Sequence, residues 1–128
     1  MIADMEKEII FTEQEKKRLA RLLAREDEIL KRRRLKLAQQ RAQAVARLLK
    51  EKWGAQAVYL FGSLAGGRLW EHSDLDFFVV GLPGSEHYYE ILADAERIAA
   101  PFEVDLILEE AAPAYIKKAV AEKGVRLA

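Results

Sequence analysis

Two short apolar runs with a small-residue turn between them set the architecture of this chain. The first run ends at Gly62-Ser63, and the second opens ten residues later with Asp74-Leu75-Asp76. Both runs have the length and apolar character of buried β-strands, and a glycine followed by a serine is typical of a tight turn. The pattern therefore predicts neighbouring strands in a small β-sheet.

The two acids that open the second run predict a site for charged ligands. Side chains alternate across a strand, so Asp74 and Asp76 point to one face, about 7 Å apart. Paired carboxylates in this arrangement are typical ligands of divalent cations. The turn at Gly62 and Ser63 offers backbone N–H groups that suit a phosphate. Together these features indicate a site for a magnesium-bound nucleotide.

A third acid lies in the middle of another predicted strand, Phe102–Leu108. There Glu103 and Asp105 share one face, while aliphatic residues occupy the other. A carboxylate among aliphatic residues is costly unless it is paired, binds a metal or lies at a solvated edge. If Asp105 lies beside Asp74 and Asp76, the three like charges need cations to remain ionised.

The rest of the chain predicts an α+β fold, a small mixed sheet flanked by helices, with a long N-terminal helix. Residues 13–53 lack glycine and proline and begin with a capping box from Thr12 to Glu15, so one helix, or two with a break, is expected. We expect residues 1–37 to form a helical extension and 38–128 the main domain. Further strands are predicted at 57–61, 74–80, 102–108 and 125–127, and helices at 86–99 and 113–123.

Charge and composition limit the function classes. Residues 1–53 carry 15 Lys and Arg against 9 Asp and Glu, and residues 54–128 carry 6 against 12, although the whole chain is neutral. The basic half could attract RNA, an acidic protein or a second copy, and the acidic half suits Mg²⁺. Cysteine is absent, so disulfides and thiolate metal sites are excluded. No apolar run approaches the ~20 residues that span a membrane, which predicts a cytoplasmic protein.

The spacing G-S-x10-D-x-D with a later mid-strand aspartate resembles the minimal nucleotidyltransferases (MNT) of the DNA polymerase β-like superfamily, over residues 40–128. The resemblance implies that Asp74 and Asp76 ligate two Mg²⁺ ions. Asp105 would ligate the catalytic ion and help to activate the attacking hydroxyl. Gly62 and Ser63 would hold the β- and γ-phosphates of ATP.

One position departs from the family pattern. Many members read G-S-x-A-R-G, but this chain has Gly66 at the arginine position and an arginine two residues later, at Arg68. We expect Arg68 to take over the contact with the nucleotide. Ser73 is expected to cap the turn or to position Asp74, next to the same nucleotide.

The resemblance also implies a partner. Small members of the family are often antitoxins of HEPN–MNT pairs, in which the MNT protein transfers AMP from ATP to a tyrosine of a HEPN-type RNase toxin. Two alternatives stay open: an antitoxin that neutralises its partner by docking with little catalysis, and a nucleotidyltransferase acting on a small molecule. The long helix could also mediate a homo-oligomer, and nucleic-acid binding is undecided.

Overall fold

A computed structural model describes residues 10–69 and 74–128 of the chain. The chain divides into two compact units, the first ending at Arg32 and the second beginning at Arg33. The predicted domain boundary after residue 37 stays a prediction. The helices and strands are α1 Glu13–Glu51, β1 Ala57–Phe61, β2 Leu75–Val80, α2 Tyr88–Ala99, β3 Val104–Leu108, α3 Ala114–Lys123 and β4 Val125–Arg126, with 3-10 turns at Ser85–His87 and Glu109–Ala111.

The long N-terminal helix forms without a break. Its start is fixed by the predicted capping box: the N–H of Glu15 donates to Thr12 Oγ1 at 3.1 Å, and the N–H of Thr12 donates to Glu15 Oε1 at 3.3 Å. The helix ends at Glu51, shortly before Gly54, whose positive φ of 78° suits a residue that follows a helix. No helix in residues 10–69 and 74–128 is long and apolar enough to cross a membrane.

The four strands of the described residues form a mixed sheet, as predicted, and their order in the sheet is β3-β2-β1-β4. β1 pairs antiparallel with β2 and β4, whereas β2 and β3 run parallel and are connected through α2. β2 begins one residue later than predicted, at Leu75, and β3 begins at Val104 instead of Phe102. The start of the β2–β3 ladder is marked by the N–H of Leu75, which donates to the Glu103 carbonyl at 2.8 Å.

The core lies between one face of this sheet and the second part of α1. The helix contributes small and medium side chains at helical spacing, which let its backbone approach the strands closely. Burial of each large side chain opposite them contributes about 1.5–3 kcal/mol. The buried helix residues are Ala38, Ala42, Val45, Ala46 and Leu49, and the fully buried strand residues facing this core are Val58, Leu75, Phe77 and Val79.

The other face of the sheet holds a smaller apolar cluster and the acids. Phe61, Phe78 and Val120 are buried together there, so α3 packs on this side. Because side chains alternate along β2 and β3, Asp76 and Asp105 also lie on this face, opposite the main core. The fold thus separates the acidic residues from the principal hydrophobic core.

A polar contact fixes α2 to the end of α1. Asp94 is 7% exposed and accepts from the Lys52 ammonium at 2.5 Å and from the Trp53 indole N–H at 3.1 Å. Arg97 lies 3.1 Å from its other oxygen. A buried carboxylate with all these donors is well satisfied, and the contact holds the helix that precedes β3.

Candidate functional site

The first element of the site is a close contact between Gly62 and Asp76. Phe61, the last residue of β1, is the register partner of Asp76, so Gly62 lies next to the aspartate side chain. A Cβ at Gly62 would lie 2.3 Å from Asp76 Oδ2, and the backbone there has a φ of +77°. Both facts require glycine, because a side chain would clash with the carboxylate and strain the backbone. The predicted turn and the predicted acid therefore meet.

The strand register brings the other two acids to the same place. Asp105 is the direct partner of Asp76 across the parallel β2–β3 pair, and its side chain is exposed. Asp74 is half-buried and precedes β2 by one residue. Neighbouring strands are about 4.8 Å apart, which places Asp76 and Asp105 within strong electrostatic reach of each other.

This neighbourhood changes the acidity of Asp76. Burial, with smaller contributions from the charges of Asp105 and Asp74, raises the pKa of the Asp76 carboxyl to about 6. Desolvation and like charge both disfavour the ionised form. A nearby cation would therefore stabilise the ionised form of these carboxylates.

The three acids share a neighbourhood without forming a closed cage. Among the residues that the structure describes, no three His, Cys, Asp or Glu side chains already surround one metal position. The roles of Asp74, Asp76 and Asp105 as metal ligands and catalytic groups stay predictions.

The turn after β1 is held by its own backbone. The carbonyl of Ser63 accepts from the N–H groups of Gly66 at 3.1 Å and Arg68 at 2.9 Å, and Gly67 donates to Leu64 at 2.9 Å. Gly62 and Arg68 are exposed, and Ser63 is half-buried. The nucleotide-binding roles predicted for these residues stay predictions, and Ser73 lies outside the described residues.

Tyr88 is a neighbour of the site that none of the sequence motifs indicates. Its hydroxyl donates to the Leu106 carbonyl at 2.6 Å. Burial raises the pKa of the Tyr88 hydroxyl, and the charge of Asp105 adds to the effect. Because the Glu103 carbonyl faces β2, the Leu106 carbonyl faces the free edge of β3. Tyr88 therefore covers that edge beside Asp105, and no local pattern signals a contact made across 18 residues.

Sequence comparisons point to one family. The profile of the family described as "Polymerase beta, Nucleotidyltransferase" matches residues 43–128. MJ1379 of Methanocaldococcus jannaschii, provisionally named a protein adenylyltransferase, is 33% identical over 81 residues, which cover 59% of this chain and 80% of MJ1379.

Solved structures share the fold. A provisionally named minimal nucleotidyltransferase has a TM-score of 0.60 at 27% identity, over 71% of this chain and 93% of its own. A chain from a toxin–antitoxin complex with AMP-PNP has a TM-score of 0.57 at 23% identity, over 67% and 72%. A chain from the complex of tri-AMPylated Shewanella oneidensis HEPN toxin with MNT antitoxin has a TM-score of 0.54 at 22% identity, over 71% of each.

These findings confirm the resemblance to minimal nucleotidyltransferases and the mixed-sheet fold that it implies. The matched segment begins within α1 and contains Gly62 and all three acids. Because the family profile covers more than half of the chain, the chain belongs to the polymerase β nucleotidyltransferase family and is a nucleotidyltransferase.

Proposed function

We propose that this chain is a Mg²⁺-dependent protein adenylyltransferase that moves AMP from ATP to a tyrosine hydroxyl of a HEPN-type RNase toxin, and so acts as an antitoxin. The observation that carries the proposal is the half-buried Asp76, which lies against Gly62 and beside Asp105 on one face of the sheet. The related toxin–antitoxin complexes, one with AMP-PNP and one with a tri-AMPylated HEPN toxin, support the choice of ATP and of the partner.

The donor set fits magnesium. Carboxylate oxygens are the protein ligands that Mg²⁺ prefers. Within residues 10–69 and 74–128, burial and two like charges raise the pKa of Asp76, and no positive side chain lowers it. Asp74, Asp76 and Asp105 would hold two ions. When bound, the ions would neutralise the carboxylates and offset the charge on the phosphates of ATP.

The proposed transfer is a displacement at the α-phosphorus of ATP. The tyrosine oxygen forms a bond to this phosphorus, the bond from the phosphorus to the α–β bridging oxygen breaks, and pyrophosphate leaves with the electron pair. Asp105 accepts the proton of the hydroxyl. Its side chain is exposed, so a tyrosine on another protein can reach it.

The turn would bind the leaving pyrophosphate. The N–H groups of Gly66, Gly67 and Arg68 are used inside the turn, so the phosphates would rely on groups nearer Gly62 and Ser63. The exposed Arg68 guanidinium would supply the positive charge, and Ser73 would position Asp74.

Label transfer tests the proposal. The purified chain is incubated with Mg²⁺, ATP labelled at the α-phosphate and a HEPN-domain protein encoded beside it, and the intact mass of both proteins is measured. We expect one or more AMP units on the HEPN protein, with no transfer when EDTA is present. The variant carrying Asp74→Asn and Asp76→Asn should keep its circular dichroism spectrum and lose the transfer by at least about a thousandfold.

Glu103→Gln is the matched control, because it removes an exposed charge from the same region and should leave transfer unchanged. Transfer that persists in the double aspartate variant would contradict the proposed site. A tight complex that forms without any gain of mass would indicate that the chain neutralises its partner by docking and not by transferring AMP.

A further inference from the structure

The first unit carries an apolar surface that the nucleotidyltransferase fold does not use. Five large side chains between residues 19 and 30 of α1 are 42% to 57% exposed; we call them the leucine stripe, and they are Leu19, Leu22, Leu23, Ile29 and Leu30. Their spacing of three, four and seven residues places them on one side of the helix. They lie outside the segment that the family profile matches. An exposed apolar stripe of this kind is typical of a surface that binds a protein, a membrane or a ligand.

A line of positive charge borders the stripe on one side. Arg18, Arg25 and Arg32 follow one another at intervals of seven residues, and we call them the arginine row. Arg18 is four residues before Leu22, and Arg25 is four residues before Ile29, so each arginine is a direct neighbour of the stripe. All three arginines are exposed.

The arginines of this row form no ion pair among the described residues, although Glu28 lies three residues after Arg25 and four before Arg32. Lys31 pairs with Asp27 at 3.0 Å, and Lys16 pairs with Glu13 at 3.4 Å. Within residues 10–69 and 74–128, by contrast, no acidic side chain lies within salt-bridge distance of the arginine row. The stripe is therefore edged by exposed arginines that form no ion pair in the described residues, and these are complementary to carboxylates on a partner that covers it.

Glu26 limits the possible occupants. It stands three or four residues from Leu22, Leu23, Ile29 and Leu30, so it lies in the middle of the stripe. Lipid chains offer no fixed cation or hydrogen-bond donor to this carboxylate, so burying it in a membrane is costly, whereas a protein groove can place a donor opposite it.

A second copy of the helix is also a poor match. In a parallel pair, identical residues face each other, so Glu26 would meet Glu26. In an antiparallel pair, the same border of each helix meets, so the arginine row would face itself. RNA would leave the apolar side chains without contacts, because phosphates pair with the arginines only.

We propose that residues 13–32 form a docking helix for a protein partner whose apolar groove carries carboxylates along one side. The stripe would enter the groove with Glu26 facing a polar donor of the partner. The arginine row would pair with the carboxylates, in the manner of an amphipathic helix bound to a protein. This inference goes beyond the proposed function, because the binding needs neither ATP nor the three aspartates of the site.

Two designed helical peptides test the inference on the full chain. Both have leucines at positions a and d of three heptads; one has glutamates at e and g, and the other has lysines there. We expect the glutamate peptide to bind at least 10-fold more tightly by fluorescence anisotropy, and to weaken as salt is raised. Equal binding of the two peptides, or no binding of either, would overturn the inference.

Charge reversal locates the contact. The variant Arg18→Glu with Arg25→Glu should lose at least 10-fold in affinity for the glutamate peptide. The variant Lys17→Glu with Lys31→Glu makes the same change of charge away from the stripe and should lose less than 3-fold. Equal losses in both variants would overturn the inference.

The other occupants are tested with the same protein. Sedimentation of the chain alone should show a monomer, and vesicles rich in phosphatidylserine should not pull it down. A stable dimer that dissociates when Leu22 and Ile29 are changed to Ser would assign the stripe to a second copy. Vesicle binding lost in the same variant would assign it to a lipid surface. Either result would overturn the inference.

Discussion

Asp76 is held in a position that is unfavourable for an ionised carboxylate and useful for a nucleotidyltransferase. Its Oδ2 lies 2.3 Å from the position that a Cβ at Gly62 would occupy, and its register partner is another acid, Asp105. The raised pKa of about 6 reflects the free-energy cost of ionising Asp76 in this position. Carboxylates that lie close together are expected in a site that binds cations. Without a cation, their mutual repulsion lowers the free energy of unfolding of the protein.

The variant Asp76→Asn should therefore be more stable than the natural protein at neutral pH without divalent cations. The folded pKa of Asp76 lies near 6, above the unfolded value of 3.8, so the folded state holds the proton more tightly. The stabilisation from this proton is present below about pH 4 and is lost as the pH rises through about 6. Because half of the carboxylate is screened by solvent, we expect a gain on the order of 1 kcal/mol, or several degrees in Tm.

Thermal melts of both proteins from pH 4 to pH 8, with EDTA, measure this gain. The difference in Tm should be close to zero at pH 4 and should reach its full value above pH 6. Glu103→Gln serves as the control with the same change of charge and should show no such rise. A difference that is constant across the pH range would contradict the assignment of the cost to Asp76.

Gly62 and Gly66 form a natural pair for testing the contact between the turn and the acid. Gly62→Ala forces a Cβ to within 2.3 Å of Asp76 Oδ2 at a positive φ, so the carboxylate must move. We expect a loss of about 1–2 kcal/mol in the free energy of unfolding and about 100-fold in kcat. Gly66→Ala meets only the Ser63 carbonyl oxygen at 3.5 Å and should change the free energy of unfolding by less than about 0.5 kcal/mol. Similar kinetics in the two variants, measured with labelled ATP, would count against the contact.

At the scale of elements, the turn after β1 offers room for the arginine that the family pattern contains. Gly66 has no positive φ, and a side chain there would meet ordinary contacts only. Gly66→Arg should therefore fold normally and lower the KM for ATP about 3- to 10-fold, because a guanidinium binds phosphate with charge-assisted hydrogen bonds. Gly66→Gln is the uncharged control. If the KM of the Arg variant equals that of the Gln variant, position 66 does not reach the phosphates.

The strands and helices were predictable where the sequence pattern is local. The strand at 57–61, the capping box of α1 and the apolar face of its second part follow from spacing alone, and the structure confirms them. The start of β3 was placed two residues early, because Phe102 is as apolar as a strand residue, although the ladder with β2 begins later. Such boundaries depend on the partner strand, which a sequence does not display.

The site was predictable in its composition and less so in its contacts. The spacing of Gly62, Asp74 and Asp76 indicated a common neighbourhood, and the structure places the first and last in direct contact. The half-buried state of Asp76 and the hydroxyl of Tyr88 on the edge of β3 could not be predicted. Both arise from elements that meet only after the β2–α2–β3 crossover has formed.

At the scale of the whole molecule, the two compact units have different chemistry. In the described residues, every buried hydrophobic side chain comes from Ala38 onward, so the core belongs to the second unit. The first unit carries exposed apolar side chains and the arginine row instead. This division separates a surface for binding from a surface for catalysis along one chain.

Deletion of residues 1–32 should therefore leave a folded nucleotidyltransferase. The truncated chain keeps every buried hydrophobic side chain of residues 10–69 and 74–128, so we expect its Tm to stay within about 3 °C of the full chain. If the first unit only docks the partner, the KM for the HEPN-type protein should rise at least 10-fold while kcat at saturating partner stays within about 2-fold. Differential scanning calorimetry and initial rates of AMP transfer measure both quantities. A truncated chain that unfolds, or one whose kcat falls as steeply as its affinity, would show that the first unit contributes to the core or to the reaction itself.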